Sequence, residues 1–251
     1  MIPYTLLFLS HTLGDYYLQP QALAKLKSRN TAYVLIHAAI YAAVMFLSIL
    51  LYPSRVYFQA VVISAVTHAI IDVIKQLILN HKAKQSILTI KQERLAYLTD
   101  QVLHMTIILA CAIFTVSVET WDTSLKAVSS WCSAQIGING YTLLSMLAAV
   151  LAVMKPANVF IQKVLVTEKP SADTKTRLNY GGRIGSLERL VIITMLFLDQ
   201  YAAIALVFTA KSIVRFKDFE NRDFAEYYLY GTFLSVVTAI IVFGLMRFLG
   251  A

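Results

Sequence analysis

Long apolar segments constrain this chain more than any other feature of its sequence. Five stretches are long enough to cross about 30 Å of hydrocarbon as helices, and they lie at 31 to 52, 56 to 79, 99 to 118, 140 to 162 and 226 to 249. Two more, 3 to 19 and 187 to 210, are apolar but carry charges. Because 58% of the 251 residues are hydrophobic and 14% are charged, the apolar content exceeds what one soluble core needs.

The expected fold is therefore an all-α, polytopic transmembrane bundle of seven spans. The polar connections are short, so we expect one integral membrane domain over 1–251. Its first part, 1–118, carries most of the intramembrane histidines and aspartates. Its second part, 140–251, contains the C-terminal helices and a basic loop.

Basic residues in the connections predict the orientation of the chain. Alternate connections differ in their number of basic residues. The connections 53 to 55 and 119 to 139 contain only two, Arg55 and Lys126. The other set, 20 to 30, 80 to 98 and 163 to 186, contains Lys25, Lys27, Arg29, Lys82, Lys84, Lys91, Arg94, Lys163, Lys169, Lys175, Arg177 and Arg183. By the positive-inside rule the second set is cytoplasmic and the N-terminus is outside. The net charge of +8 then needs no nucleic acid to explain it.

The segment 187 to 210 allows two interpretations. A full span is favoured because it leaves Arg247 inside, although it places the basic residues after it, including Lys211 and Arg222, outside. Alternatively, the polar run that begins at Asp199 marks a break, and two half-helices form a re-entrant hairpin that returns to the cytoplasmic side.

Histidine and aspartate recur together inside the apolar segments. "HTLGD" contains His11 and Asp15, "HAIID" contains His68 and Asp72, and "DQVLH" contains Asp100 and His104; His37 lies alone in the second segment. A spacing of four residues puts both side chains on one helix face. At ~1.5 Å per residue, all seven groups fall in overlapping layers roughly 2 to 16 Å from the cytoplasmic ends of their helices.

Neutral imidazoles and carboxylates that converge in an enclosed site are typical of divalent metal binding. Zinc, iron and manganese all accept such ligands, and one or two ions would fit seven groups. Gln19 and Gln101 are expected to orient the ligands by hydrogen bonds, without binding the ion themselves. Two other interpretations are a metal-free proton or ion pathway and simple structural pairing of His with Asp. Lys75, one turn beyond Asp72, is interpreted as an anchor at the membrane boundary.

The C-terminal half adds cations that suit an anion. Lys155 lies deep in its span before Pro156. Farther along, "NYGGRIGSLERL" predicts a glycine turn followed by a helix that Ser186 caps. A helix N-terminus with Arg183 and Arg189 nearby is a natural anion site, although glycines and arginines also occur in ordinary cytoplasmic turns.

Several of these motifs together resemble a known group of proteins. "HTLGDYYLQ", His37, "HAIIDVIK", "DQVLH", "KPAN", "GRIGSLERL" and "AKSIVRF" are similar to a family of uncharacterised bacterial inner-membrane proteins, classed as a domain of unknown function. The resemblance implies a bacterial inner-membrane location and no particular reaction. A looser likeness at the His-Asp pairs of the first and third segments points to bacterial membrane-bound proteins described as metal-dependent hydrolases.

The function expected from these features is metal-dependent hydrolysis of a lipid-linked or amphiphilic phosphate or ester. In this hypothesis the metal ligands are His11, Asp15, His37, His68, Asp72, Asp100 and His104. Asp100 doubles as a catalytic residue, and Lys155, Arg183 or Arg189 would neutralise a phosphate or oxyanion. The alternatives are an ion- or proton-coupled transporter that uses the same cluster and a non-catalytic membrane partner protein.

Overall fold

The computed structural model describes residues 2–20, 23, 26–27, 31–85, 87–118, 124–165, 172–214, 216, 220 and 222–250. Within these ranges the chain is helical and contains no strand, so the predicted all-α class is confirmed. The α-helices are α1 (Ile2–Thr12), α2 (Thr31–Leu47), α3 (Arg55–Gln85), α4 (Ile90–Val118), α5 (Ser124–Ile136), α6 (Gly140–Leu165), α7 (Ala172–Phe197), α8 (Tyr201–Val214) and α9 (Arg222–Gly250). A π-helical segment, Leu13–Tyr17, continues α1.

Five of the described helices are long and apolar enough to cross a membrane. They span Ala32–Leu50, Arg55–Lys84, Ile90–Val118, Gly140–Leu165 and Ala225–Phe248, and they correspond to the five long apolar stretches identified from the sequence. Large apolar side chains on them are exposed, as expected where lipid replaces water: Leu50 is 73% and Phe248 84% exposed. The chain is a membrane protein.

The helices form two compact units, one over 1–148 and the other over 149–248. In the first unit α2 and α4 both pack against α1 and against α3. Every residue of α1 is buried, which explains why α1 is apolar on all sides of its helix. The four helices therefore bring the polar faces of their middle parts toward a shared interior.

The π-helical segment holds Asp15 at that interior. The amide of Leu18 donates to the carbonyl of Leu13 over 2.8 Å, one residue farther than in an α-helix. Within the segment, a Cβ on Gly14 would lie 2.9 Å from Cδ2 of Tyr41 and 3.3 Å from its Cα. Glycine is needed here because the backbone of the first helix approaches α2 this closely. Single π-turns are rare and occur frequently at functional sites.

Helices α3 and α4 are longer than the apolar stretches from which they were predicted. The connection expected at 80 to 98 is much shorter than predicted, because α3 runs to Gln85 and α4 begins at Ile90. Thr89 and Gln92 explain the start of α4. Each side chain accepts a hydrogen bond from the other residue's backbone amide, over 3.0 and 3.3 Å, which is a capping box.

Two expectations for the second unit are wrong. Ser186 does not cap a helix, and the three glycines before it form no turn, since all of them lie inside α7. A glycine inside a helix costs only about 1 kcal/mol relative to alanine, and packing against neighbouring side chains offsets a cost of this size. A Cβ on Gly185 would lie 3.1 Å from Nη1 of Arg189, so the missing side chain makes room for the guanidinium.

Arg189 joins three helices in this unit. It is 1% exposed, and its guanidinium donates to the Val153 carbonyl over 2.6 Å and to Ser235 Oγ over 2.9 Å. It also donates to Asn158 Oδ1 and, over 3.5 Å, to Ser186 Oγ. These acceptors come from α6, α7 and α9 and satisfy a buried cation, which is costly to bury without hydrogen bonds.

Gly185→Ala is expected to lower stability, whereas Gly181→Ala is expected to raise it slightly. Both positions lie in α7, and alanine favours the helix by up to about 1 kcal/mol. Nothing lies within 4 Å of a Cβ on Gly181. At Gly185 the new methyl would push against an arginine that its hydrogen bonds hold in place, and such overpacking costs roughly 1 to 3 kcal/mol. Thermal unfolding in detergent measures the pair, and equal shifts would contradict the packing argument.

The segment 187 to 210 is a helical hairpin. Helix α7 ends at Phe197, Asp199 has φ 54°, and α8 begins at Tyr201. A single helix over this segment is therefore wrong, and the break that the alternative required is confirmed. Lys211 Nζ on α8 donates hydrogen bonds to Glu188 Oε2 on α7 over 2.7 Å and to Thr232 Oγ1 on α9 over 3.1 Å. At the tip, Arg247 Nη1 contacts Asp199 Oδ1 over 3.0 Å. Helices α7 and α8 are thus antiparallel to each other, and both contact α9.

Candidate metal centre

The first unit brings the predicted histidines and aspartates together. His11 comes from α1, Asp15 from the π-helical segment, and His37 from α2. Helix α3 supplies His68 and Asp72, and α4 supplies Asp100 and His104. The four histidines are at most 3% exposed. Six of the seven groups, all except Asp100, form three sets of three in which the ligand atoms lie within 4.8 Å of one another.

One of these sets contains Asp15, His37 and His68. Asp15 Oδ1 lies 3.2 Å from His37 Nε2, and His37 Nε2 lies 3.3 Å from His68 Nε2. For a tetrahedral ion with bonds of about 2.0 to 2.1 Å, neighbouring ligand atoms are separated by about 3.3 Å. Two of the three distances among these atoms therefore match the spacing of ligands around a zinc-sized ion, and the third is at most 4.8 Å.

Several ring nitrogens at this site have no hydrogen-bond partner among the residues that the structure describes. They are His11 Nε2, His37 Nδ1, His68 Nδ1 and both ring nitrogens of His104. Buried polar atoms are nearly always paired, and leaving one unpaired costs roughly 1 to 3 kcal/mol. Imidazoles with unpartnered nitrogens beside carboxylates have the donor atoms that divalent transition metals prefer. The residues present thus fit a metal ion.

Tyr41 orients two of the imidazoles. Its hydroxyl lies 3.2 Å from His11 Nδ1, which leaves Nε2 of that ring directed at the site. Its ring stacks on His68 with centroids 3.6 Å apart and an interplanar angle of 4°. Partners of this kind fix the tautomer and orientation of metal-binding histidines. Tyr41 was not singled out from the sequence, because a tyrosine in an apolar helix has no distinguishing pattern.

The carboxylates fall into two classes. Asp72 is held by two ammonium groups, with Lys27 Nζ 2.6 Å from Oδ2 and Lys75 Nζ 2.7 Å from Oδ1. Lys75 also lies 2.9 Å from Asp100 Oδ2. The interpretation of Lys75 as a boundary anchor is therefore wrong, since its side chain turns inward and bridges two carboxylates. No ammonium group of the described residues contacts Asp15.

An amide and two phenols complete the surroundings of the carboxylates. Gln101 Nε2 donates to Asp15 Oδ2 over 3.3 Å and to Asp100 Oδ2 over 3.2 Å. Its Oε1 accepts a hydrogen bond of 2.7 Å from Tyr16, whose hydroxyl lies 3.1 Å from that of Tyr97. Gln101 therefore lies where the sequence placed it, as a donor that orients two carboxylates.

The predicted cations of the C-terminal half belong to the second unit, and in sequence they follow the segments that carry the cluster. Lys155 is half-buried on α6, and Arg183 is exposed on α7. Arg189 is buried and donates to neighbouring helices as described above. Their role toward a phosphate or oxyanion stays a prediction, while Lys27 and Lys75 contact the carboxylates of the cluster directly.

Sequence comparison covers the part of the chain that contains the cluster. The family described as "Protein of unknown function (DUF3307)" matches residues 4–132, a range that includes all seven histidines and aspartates of the cluster. The motifs "KPAN", "GRIGSLERL" and "AKSIVRF" lie beyond the matched residues. No curated protein and no solved structure matches the chain. The chain belongs to the DUF3307 family, whose function is unknown.

Proposed function

We propose that the protein is a metal-dependent membrane hydrolase that acts on a lipid-linked or amphiphilic phosphate or ester. One observation carries the proposal: four buried histidines with unpartnered nitrogens surround Asp15, and two lysines lie beside them. A divalent ion in such a site polarises a phosphoryl or carbonyl oxygen and activates water. The ion would be zinc, manganese or iron.

The lysines fit the substrate side of the reaction. Lys27 and Lys75 are 12% and 25% exposed, whereas the carboxylate that they share is 1% exposed. Their ammonium groups thus lie at the more accessible edge of a buried cluster. Cations at this position neutralise the charge of a phosphate and the charge that develops during its cleavage.

Asp100 is the carboxylate that fits a general base. It belongs to none of the three ligand sets, and its Oδ1 is buried without a hydrogen-bond partner. Its Oδ2 lies 3.9 Å from His104 Nδ1, so it borders the histidines without being among the closest groups. A base must lie within hydrogen-bond reach of the proton that it removes, directly or through one water.

The proposal is tested with purified protein in detergent, loaded with Mn²⁺ or Zn²⁺. p-Nitrophenyl phosphate and short-chain phosphatidic acid are the probes, and released phosphate or nitrophenol is measured. Metal-dependent release that is lost in Asp100→Asn and kept in His81→Ala supports hydrolysis. His81 is the control because it is the one histidine outside the predicted ligand set, and it is exposed at the end of α3.

A transporter would give a different result with the same protein. Intramembrane His and Asp groups also serve ion and proton pathways. Metal-dependent uptake of ⁵⁴Mn²⁺ or ⁶⁵Zn²⁺ into proteoliposomes, together with no cleavage of either probe, would replace the hydrolase by a carrier.

We propose in addition that the chain has six spans plus a re-entrant hairpin, in a bacterial inner membrane with the N-terminus outside. The hairpin supports this topology because Lys211, near the end of α8, lies beside Thr232 in the first half of α9. The basic residues between α8 and α9 then lie on the cytoplasmic side, in agreement with the positive-inside rule. In this topology Arg247 lies toward the outer end of α9, level with the hairpin tip, where Asp199 neutralises it.

Single cysteines test the topology in a background without Cys111 and Cys132. A cysteine at Lys84 should react with an impermeant reagent only after the cytoplasmic side is opened, and one at Ser124 should react from outside. A cysteine at Glu220 should behave like the one at Lys84. If Glu220 reacts from outside while Lys84 does not, the segment 187 to 210 crosses the membrane. Reversal at Lys84 and Ser124 would overturn the orientation of the whole chain.

A further inference from the structure

We propose that the cluster binds two divalent ions and that Asp15 bridges them. The inference rests on the proposed function and specifies its metal centre. Two of the three ligand sets, His11 with Asp15 and His104, and Asp15 with His37 and His68, have only Asp15 in common. Together they use each of the four histidines once. One carboxylate with two oxygens thus stands between two separate histidine pairs.

The first ion position is defined by distance. Asp15 Oδ1, His37 Nε2 and His68 Nε2 are separated by 3.2 and 3.3 Å along the two measured edges. This spacing suits three ligands of one tetrahedral ion. The fourth position is available to Asp72, whose Oδ2 lies 3.6 Å from His37 Nε2 and 3.9 Å from His68 Nε2.

The second ion position is defined by unsatisfied nitrogens. His11 is 1% and His104 is 3% exposed, and their rings lie 5.5 Å apart between centroids. His11 Nε2 and both nitrogens of His104 have no hydrogen-bond partner. An imidazole with two unpaired nitrogens is a rare exception in a protein interior, and a second ion would satisfy one of them.

Asp15 is the bridging carboxylate because no lysine among the described residues contacts it. Both oxygens of Asp72 already accept from ammonium groups, and one oxygen of Asp100 does so. Among the described residues, the hydrogen-bond donor to Asp15 Oδ2 is the Gln101 amide, at 3.3 Å. An amide donor orients a carboxylate without neutralising it, so the charge of Asp15 remains available to cations.

Charge balance connects the two ions to the substrate class. Two divalent ions carry four positive charges, and the three aspartates of the cluster carry three negative charges. Because Asp72 is the fourth ligand of the first ion, that ion takes up its charge, and the ammonium groups of Lys27 and Lys75 become available to an anion. A phosphate monoester dianion would balance these two cations, and two-ion centres commonly clamp phosphoryl oxygens.

Manganese binding to the full-length protein in detergent measures the number of ions and their separation. The protein is stripped with chelator, reloaded with Mn²⁺ and desalted. Metal analysis should give about two Mn²⁺ per chain, and low-temperature electron paramagnetic resonance should show the hyperfine pattern of an exchange-coupled pair. About one Mn²⁺ per chain with the pattern of an isolated ion would overturn the two-ion centre and leave the hydrolase proposal standing. No bound Mn²⁺, Zn²⁺ or Fe²⁺ would overturn both.

Variants assign the two positions. His37→Ala and His104→Ala should each retain about one uncoupled ion, because each removes a ligand from only one of the two sets joined by Asp15. Asp15→Asn should abolish the coupled signal, and His81→Ala should retain it. Loss of both ions in His37→Ala while the protein stays folded by size-exclusion chromatography would contradict independent positions. The ion count of the unaltered chain decides the proposal even if a variant does not fold.

Discussion

His68→Ala is expected to remove most of the metal that the protein binds. His68 belongs to two of the three ligand sets, and its ring is stacked between Tyr41 and His104 with centroids 3.6 and 4.3 Å away. Loss of the imidazole therefore removes a ligand and loosens the neighbours that orient others. Mutation of a group that hydrogen-bonds to a metal ligand alone lowers metal affinity by roughly 10 to 100-fold. Loss of a ligand itself should lower the affinity by more than that. Metal content and Zn²⁺ or Mn²⁺ affinity are measured after purification without chelator.

His81→Ala is the matched control for this result. It makes the same substitution on the same helix at an exposed position, and it should leave metal content unchanged. Equal metal content in His68→Ala and the unaltered protein would show that the ions, if any, bind elsewhere. A folded unaltered protein without metal would exclude the hydrolase altogether.

The three aspartates are expected to separate into Asp15, a ligand with no ammonium partner among the described residues, and Asp72 and Asp100, which are also ion-pair partners of lysines. Asp15→Asn should lose metal, while the metal-free protein keeps its melting temperature or gains slightly. The reason is that no ammonium of the described residues depends on Asp15, and the amide removes a charge from a largely buried position.

Asp72→Asn should instead destabilise the metal-free protein. The change leaves Lys27 without this partner and Lys75 with only Asp100. Breaking a buried ion pair costs about 3 to 5 kcal/mol, which corresponds to roughly 6 to 20 °C for a chain of this size. Asp100→Asn should show a smaller loss, because Lys75 keeps Asp72.

Melting temperature and metal content of the three variants are measured side by side, with and without added Mn²⁺. A fall in melting temperature for Asp15→Asn with unchanged metal content would reverse the assignment of ligand and ion-pair partner. Unchanged metal in all three variants would place the ions outside the cluster.

The sequence predicted the five long membrane helices because their signal is local. About twenty consecutive apolar residues suffice to identify a span, and no tertiary contact is needed. The pairing of His11 with Asp15, His68 with Asp72 and Asp100 with His104 was local in the same sense, since a spacing of four residues fixes a shared helix face. The structure places six of these seven groups, counting His37, within reach of common points.

Side chains that act over long distances in the chain could not be identified in this way. Lys27 lies 45 residues from its partner Asp72, and in sequence it is one more basic residue of a polar connection. Lys75 has the same appearance at the end of a span, and its inward turn depends on Asp100 from the next helix. Flexible side chains of this length choose their direction only after the helices around them have packed.

Backbone details also depended on tertiary packing. Gly14 permits the close approach of the π-helical segment to Tyr41, and Gly185 makes room for Arg189. Neither contact follows from the local sequence, which predicted a turn at Gly185. The sequence by itself therefore determined the helical membrane class and the helix faces that carry histidine and aspartate, because both follow from local periodicity. Only the tertiary structure decided which carboxylates the lysines neutralise, which one remains available to a cation, and where the chain folds back, because these depend on contacts between distant helices.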